Sequence, residues 1–115
     1  MNAKVFGDSS VYENALVTER AWVYENAKVS GYAEVHGNAK VHGNAKVYGD
    51  AMVCGDAQVY ENATVADDAF IDDNAMVFGR AIVLGNTLVR ENAQVFGDSV
   101  VGKRIEISGE TIICD

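Results

Sequence analysis

Every sixth residue from Val5 to Ile113 is Val or Ile, at all 19 positions. Two residues before each lies a second column, Ala in 14 of 19 places, with Ile105 its one large member. Two residues after each comes Gly or an acid, Lys103 excepted, and 10 of the 11 glycines fall there. The next position is Asn or Asp in 13 of 18 cases. Six is not a helical period, and a helix with Gly plus Asn or Asp in every second turn would lose roughly 1 kcal/mol each time. On a strand, residues two apart share a side, so the small and β-branched columns point inward and the residue between them points out. Gly followed by Asn or Asp is turn chemistry, because these residues tolerate positive φ. Each hexapeptide therefore reads as one short strand and one corner. Three of them close an 18-residue triangular coil, with Val filling the middle and Ala near the corners. The period never slips between residues 3 and 113, so residues 1–115 read as one domain.

The run from Asn38 to Ala51 carries the pattern at its clearest: Asn38-Ala39-Lys40-Val41-His42-Gly43, then Asn44-Ala45-Lys46-Val47-Tyr48-Gly49, then Asp50-Ala51. It resembles the hexapeptide repeats of left-handed parallel β-helix proteins. In particular it is similar to the A-x-V-x-G-[ND] variety of YdcK-like proteins of bacteria and their phage-encoded relatives. The resemblance implies an all-β fold, a left-handed triangular prism of about six coils without loop insertions or a terminal helix. The hand comes from the resemblance alone, since ordinary crossovers are right-handed. For function it implies little, because hexapeptide helices serve in acyltransferases, sugar-nucleotide enzymes, γ-class carbonic anhydrases and non-catalytic scaffolds.

A period of 18 sorts the outward residues into three faces on a prism roughly 30 Å long, at ~4.8 Å per coil. The first face carries Phe6, Tyr24, His42, Tyr60, Phe78 and Phe96, with Cys114 at its end. The second carries Tyr12, Ser30, Tyr48, Ala66, Leu84 and Gly102; the third carries Thr18, His36, Cys54, Asp72, Arg90 and Ser108. Five of the ten aromatic residues thus share one column. Such a column shields the backbone ladder by ring-on-ring contact, or offers a flat amphipathic interface to a second copy across a two-fold axis. We take Phe6, Tyr24, His42, Tyr60, Phe78 and Phe96 as the candidate self-association surface of a homo-oligomer, a dimer before a trimer.

The third face has a further outward column of Leu16, Glu34, Met52, Phe70, Leu88 and Glu106. Acids crowd its middle. Residues 47–79 hold seven Asp or Glu and no Lys or Arg, so the waist of the prism supplies most of the net charge of −8. Asp50, Met52, Asp67, Asp68, Phe70, Asp72, Asp73 and Leu88 form the candidate docking surface for a basic protein partner. Its competitor is a solvated acidic face with scattered apolar residues. A cation between Asp50 and Asp68 would need several more convergent oxygens, so no metal is expected.

With 9 Lys+Arg against 17 Asp+Glu, direct nucleic-acid binding is not expected, because no positive charge is left to replace counterions. Apolar content of 49% is too high for a disordered acidic tail. No charged-then-apolar leader follows Met1 and no apolar run approaches about 18 residues, so neither a secretory signal nor a membrane span is expected and the reading is cytoplasmic. Cys54 and Cys114 fall on different faces, beyond the ~7 Å reach of a disulfide, and read as free thiols of a reducing compartment.

Catalysis finds no support in the residues. The resemblance brings in acyltransferases, which generally use a His base at a subunit cleft, and γ-class carbonic anhydrases, which need three His around zinc. His36 and His42 are the two histidines, at ordinary outward positions on adjacent faces. Motifs for phosphate loops, nucleophile elbows and C-x-x-C chemistry are absent from the sequence. The reading is a non-catalytic scaffold without cofactor, an inhibitor or a mimic of an acidic ligand such as DNA. An acyltransferase-type enzyme with its site between subunits and a polymer built by end-to-end stacking of uncapped coils are the alternatives. Outward Phe70, Met76, Phe78, Ile82, Leu84 and Leu88 suggest partners around the later coils, and the bulk of Val100, Ile105 and Ile112 a core that is plugged or closes against another copy.

Overall fold

A computed structural model describes residues 3–102 and 105–114. Its strands are two residues long and recur every six residues, each made of one outward residue and the inward Val or Ile that follows. The first sheet stacks β1 (Lys4–Val5), β4 (Trp22–Val23), β7 (Lys40–Val41), β10 (Gln58–Val59), β13 (Met76–Val77), β16 (Gln94–Val95) and β19 (Ile112–Ile113). The second stacks β2 (Ser10–Val11), β5 (Lys28–Val29), β8 (Lys46–Val47), β11 (Thr64–Val65), β14 (Ile82–Val83) and β17 (Val100–Val101). The third stacks β3 (Leu16–Val17), β6 (Glu34–Val35), β9 (Met52–Val53), β12 (Phe70–Ile71), β15 (Leu88–Val89) and β18 (Glu106–Ile107). All pairings are parallel, and each residue faces the one 18 positions later, as Lys4 faces Trp22 and Val5 faces Val23. The result is an all-β solenoid of about six coils with three flat sheets, 31 Å along its long axis as the rung spacing requires.

The inward columns make the core. Val and Ala from Ala21 to Ala81 are 0–1% exposed, so the strip is continuous rather than patchy. Strands this short gain little from their own length; the ladder between coils holds them, for instance Phe6 N–H donating to Val23 C=O at 3.0 Å and Tyr24 N–H to Val41 C=O at 3.1 Å. Where Ser or Thr replaces Ala, the added hydroxyl donates to the carbonyl three residues back. Ser9 reaches Phe6 at 2.6 Å, Thr87 reaches Leu84 at 2.9 Å, Ser99 reaches Phe96 at 2.8 Å and Thr111 reaches Ser108 at 2.7 Å. The column accepts a hydroxyl because the corner offers it an acceptor, which removes the cost of burying it.

One expectation needs correction. Phe70, Met76, Phe78, Ile82, Leu84 and Leu88 are half-buried rather than exposed: Phe70 and Leu88 are register partners, Phe78 stacks on Phe96, and Leu84 lies over the Gly102 backbone. The strongly exposed apolar residues lie instead in the first and last described coils: Val5, Phe6, Tyr12 and Leu16 in one, Val100, Ile105 and Ile112 in the other, with Tyr32 and Tyr48 between. Ile105, the large member of the Ala column, is 42% exposed in the last described coil. Among the described residues no helix is long and apolar enough to cross a membrane.

Candidate functional site

The corners decide where the charged groups stand. Positive φ falls on the first corner residue, whether Gly or acid, and not on the Asn or Asp after it. The acids Glu13, Glu19, Glu25, Glu61, Asp67, Asp73 and Glu91 hold φ between 57° and 61°. Each turns its carboxylate up the prism and accepts the N–H of the corner residue one coil later. Glu13 Oε1 takes Gly31 N–H at 2.7 Å, Glu61 takes Gly79 at 2.8 Å, Asp67 takes Gly85 at 3.0 Å and Asp73 takes Glu91 at 3.2 Å. An acid in a strained corner is thus held by a hydrogen bond to the next coil.

This sorts the acidic waist. Met52, Phe70 and Leu88 lie in direct register on the third sheet, with Glu34 on the rung below and Glu106 on the rung above. The preceding corner carries Asp50, Asp67 and Asp68; the following one carries Asp56 and Asp73. Asp67 and Asp73 are engaged in the coil-to-coil bonds just described. Asp72 Oδ1 accepts Asp73 N–H at 2.7 Å and the Cys54 thiol at 3.3 Å. Asp50 and Asp68 are exposed, with no side-chain bond among the described residues. The structure therefore brings together all eight residues expected to dock a partner, and three of their five acids also hold the fold. No group of three His, Cys, Asp or Glu able to hold a metal ion occurs among the described residues.

The aromatic column of the first sheet is a continuous stack. Ring centroids are 5.1 Å apart for Phe6–Tyr24, 4.7 Å for Tyr24–His42, 5.1 Å for His42–Tyr60, 5.0 Å for Tyr60–Phe78 and 4.8 Å for Phe78–Phe96. Interplanar angles stay within 8°. Faces are spent on each other and edges point outward, so all the rings but Phe6 are half-buried. Burial, and then Glu25 or Glu61 alongside, raises the Tyr24 and Tyr60 phenols above their ordinary pKa. His42 Nδ1 lies 3.4 Å from Glu25 Oε1, and His36 Nδ1 lies 3.5 Å from Glu19 Oε1, each pairing with a corner acid one coil earlier.

Cys54 stands in the outward column of the third sheet, yet it is only 6% exposed, roofed by Asp72 on the next rung. Burial, followed by the bond to Asp72 and the charges of Asp72, Asp73 and Glu19, pushes its thiol up to about 12, so it stays protonated at neutral pH. Cys54 and Cys114 are free thiols.

Sequence reading overlooked Trp22. Its indole meets Phe6 and Tyr24 edge-on at 6.0 and 6.2 Å, and the Lys4 and Lys40 ammoniums approach its centroid at 5.3 and 5.4 Å. The signal was present in the column Lys4, Trp22, Lys40 once residues 18 apart are read together. The pairs Arg80–Asp98 and Arg90–Glu106, both at 2.7 Å, were likewise missed; as exposed pairs they add little stability.

The family model described as YdcK Beta solenoid repeat matches residues 45–61, about one coil from the middle of the prism. That match and the stacked 18-residue coils fit a β-helix repeat family. No curated protein matches the chain.

Proposed function

We propose that this chain is a rigid, non-catalytic interaction scaffold that offers its acidic waist to a basic protein partner. The observation that carries the reading is the arrangement on the third sheet. An apolar strip of Met52, Phe70 and Leu88 is bounded below and above by Glu34 and Glu106 and along both corners by aspartates. The strip supplies apolar contact and the rim supplies steering and register. Acids fixed by hydrogen bonds to the next coil lose little freedom when a partner arrives, which favours binding without rearrangement. A surface of this kind suits an inhibitor or a mimic of an acidic ligand, and two free thiols suit a reducing, cytoplasmic setting.

A short oligolysine, titrated calorimetrically at low and at physiological salt, tests the reading. Asp50→Asn with Asp68→Asn removes two charges from the waist without touching a coil-to-coil bond. Asp8→Asn with Glu110→Gln removes the same charge elsewhere. The waist pair should weaken binding roughly five- to tenfold and the control pair less than about twofold. Equal weakening by the two pairs would reduce the waist to ordinary net charge and overturn the proposal.

A further inference from the structure

The outward column of the second sheet has a gap that the first sheet lacks. On the first sheet the position after the inward Val carries a ring on six successive rungs, at 4.7–5.1 Å intervals. On the second sheet the same position reads Tyr12, Ser30, Tyr48. The serine leaves two exposed tyrosines two rungs apart, a separation of roughly 10 Å. One flat ring placed midway would lie about 5 Å from each, the interval the first sheet already uses. The space is an open groove of about 360 Å³ lined by Tyr12, Lys28, Ser30, Lys46 and Tyr48.

The lysines give the groove its sign. Lys28 and Lys46 are direct partners on adjacent strands, so two like charges stand opposite each other, an arrangement that destabilises a sheet. Among the described residues neither has a carboxylate within ion-pair distance. No carboxylate lines the groove. Every polar side chain around it can donate a hydrogen bond: two ammoniums, two phenols and one serine hydroxyl. In a chain of net charge −8, this groove is a local excess of positive charge. We propose that Tyr12, Lys28, Ser30, Lys46 and Tyr48 bind a planar aromatic anion, its ring inserted over Ser30 between the two tyrosines and its negative group held by the two lysines. The class includes aromatic carboxylates, aryl sulfates and nucleotides, which share a flat ring and an anionic group. The site lies on a different sheet from the acidic waist and does not depend on the partner assigned there.

Naphthalene-2-sulfonate is the probe, followed by calorimetry and by the tyrosine ring signals in NMR spectra of the full chain. Wild type should bind it saturably, with Kd on the order of 1 mM or below, and bind uncharged 2-naphthalenemethanol about tenfold more weakly. Ser30→Tyr completes the column and should weaken the probe at least about tenfold, whereas Ser30→Ala, which keeps the gap, should stay within about threefold. Lys28→Gln with Lys46→Gln should abolish the preference for the sulfonate over the alcohol. Tyr48→Ala, which opens the slot instead of filling it, should weaken both probes. Absence of saturation by about 10 mM, or equal affinity for wild type and Ser30→Tyr, would overturn the site.

Discussion

At the scale of single residues, the corners carry the cost of the fold. A β-carbon added at Gly43 would come within 2.8 Å of the Glu61 backbone nitrogen, at a φ of +67°. Gly43→Ala therefore combines strain with a close approach and should cost about 1–3 kcal/mol, read as a lower urea midpoint at constant slope. Glu61 is the complementary case. It holds φ at 59° and is retained through the 2.8 Å bond from Gly79 N–H to its carboxylate. Glu61→Ala keeps the strain and removes the bond, for a loss of about 1 kcal/mol, while Glu61→Gly relieves the strain and should lose less than half of that. A glycine variant as unstable as the alanine variant would show that the carboxylate, and not the backbone, dominates there. The alternation of Gly and acid was visible in the sequence. Its reason was not, because the amide that each carboxylate caps belongs to a residue 18 positions later.

At the scale of elements, the two-residue strand is too short to persist alone, and outward side chains add stability by stacking between rungs. His42 sits between Tyr24 and Tyr60 with both faces covered. Replacing it by Ala removes two ring contacts and should cost about 1–2 kcal/mol, while His42→Phe should keep most of that, compared by urea unfolding. No difference between the two variants would show that neither the burial nor the stacking of a ring at this position contributes. The membership of this column followed from counting by 18, as did Met52, Phe70 and Leu88 on the third sheet. What counting alone missed was mutual cover: Phe70 and Leu88, register partners on adjacent rungs, look exposed one at a time and are half-buried. Cys54 shows the same effect, being covered by Asp72, a residue that reads as a plain surface acid.

The whole molecule was the most legible scale, since one inward pattern repeated 19 times leaves few alternatives to three sheets around a common core. The surface was less so, because side-chain direction and shared hydrogen bonds decide which outward residues act together. Core and surface also keep different time. Inward columns repeat every six residues, while outward neighbours are 18 apart, so removing one hexapeptide and removing three are different operations. Deleting residues 61–66 leaves every later Val and Ala in an inward place yet turns all that follows by a third of a revolution, carrying Phe78 and Phe96 off the first sheet. Deleting residues 61–78 removes a whole coil and sets Phe96 directly over Tyr60. Both shortened chains should keep the far-ultraviolet circular dichroism of strands. The near-ultraviolet signal of the stacked rings should fall further in the chain that has lost only six residues. A lineage that lengthens or shortens this protein therefore has free choice of length in steps of six where only the inward core is concerned. Where the faces must keep their identity, the permitted step is 18.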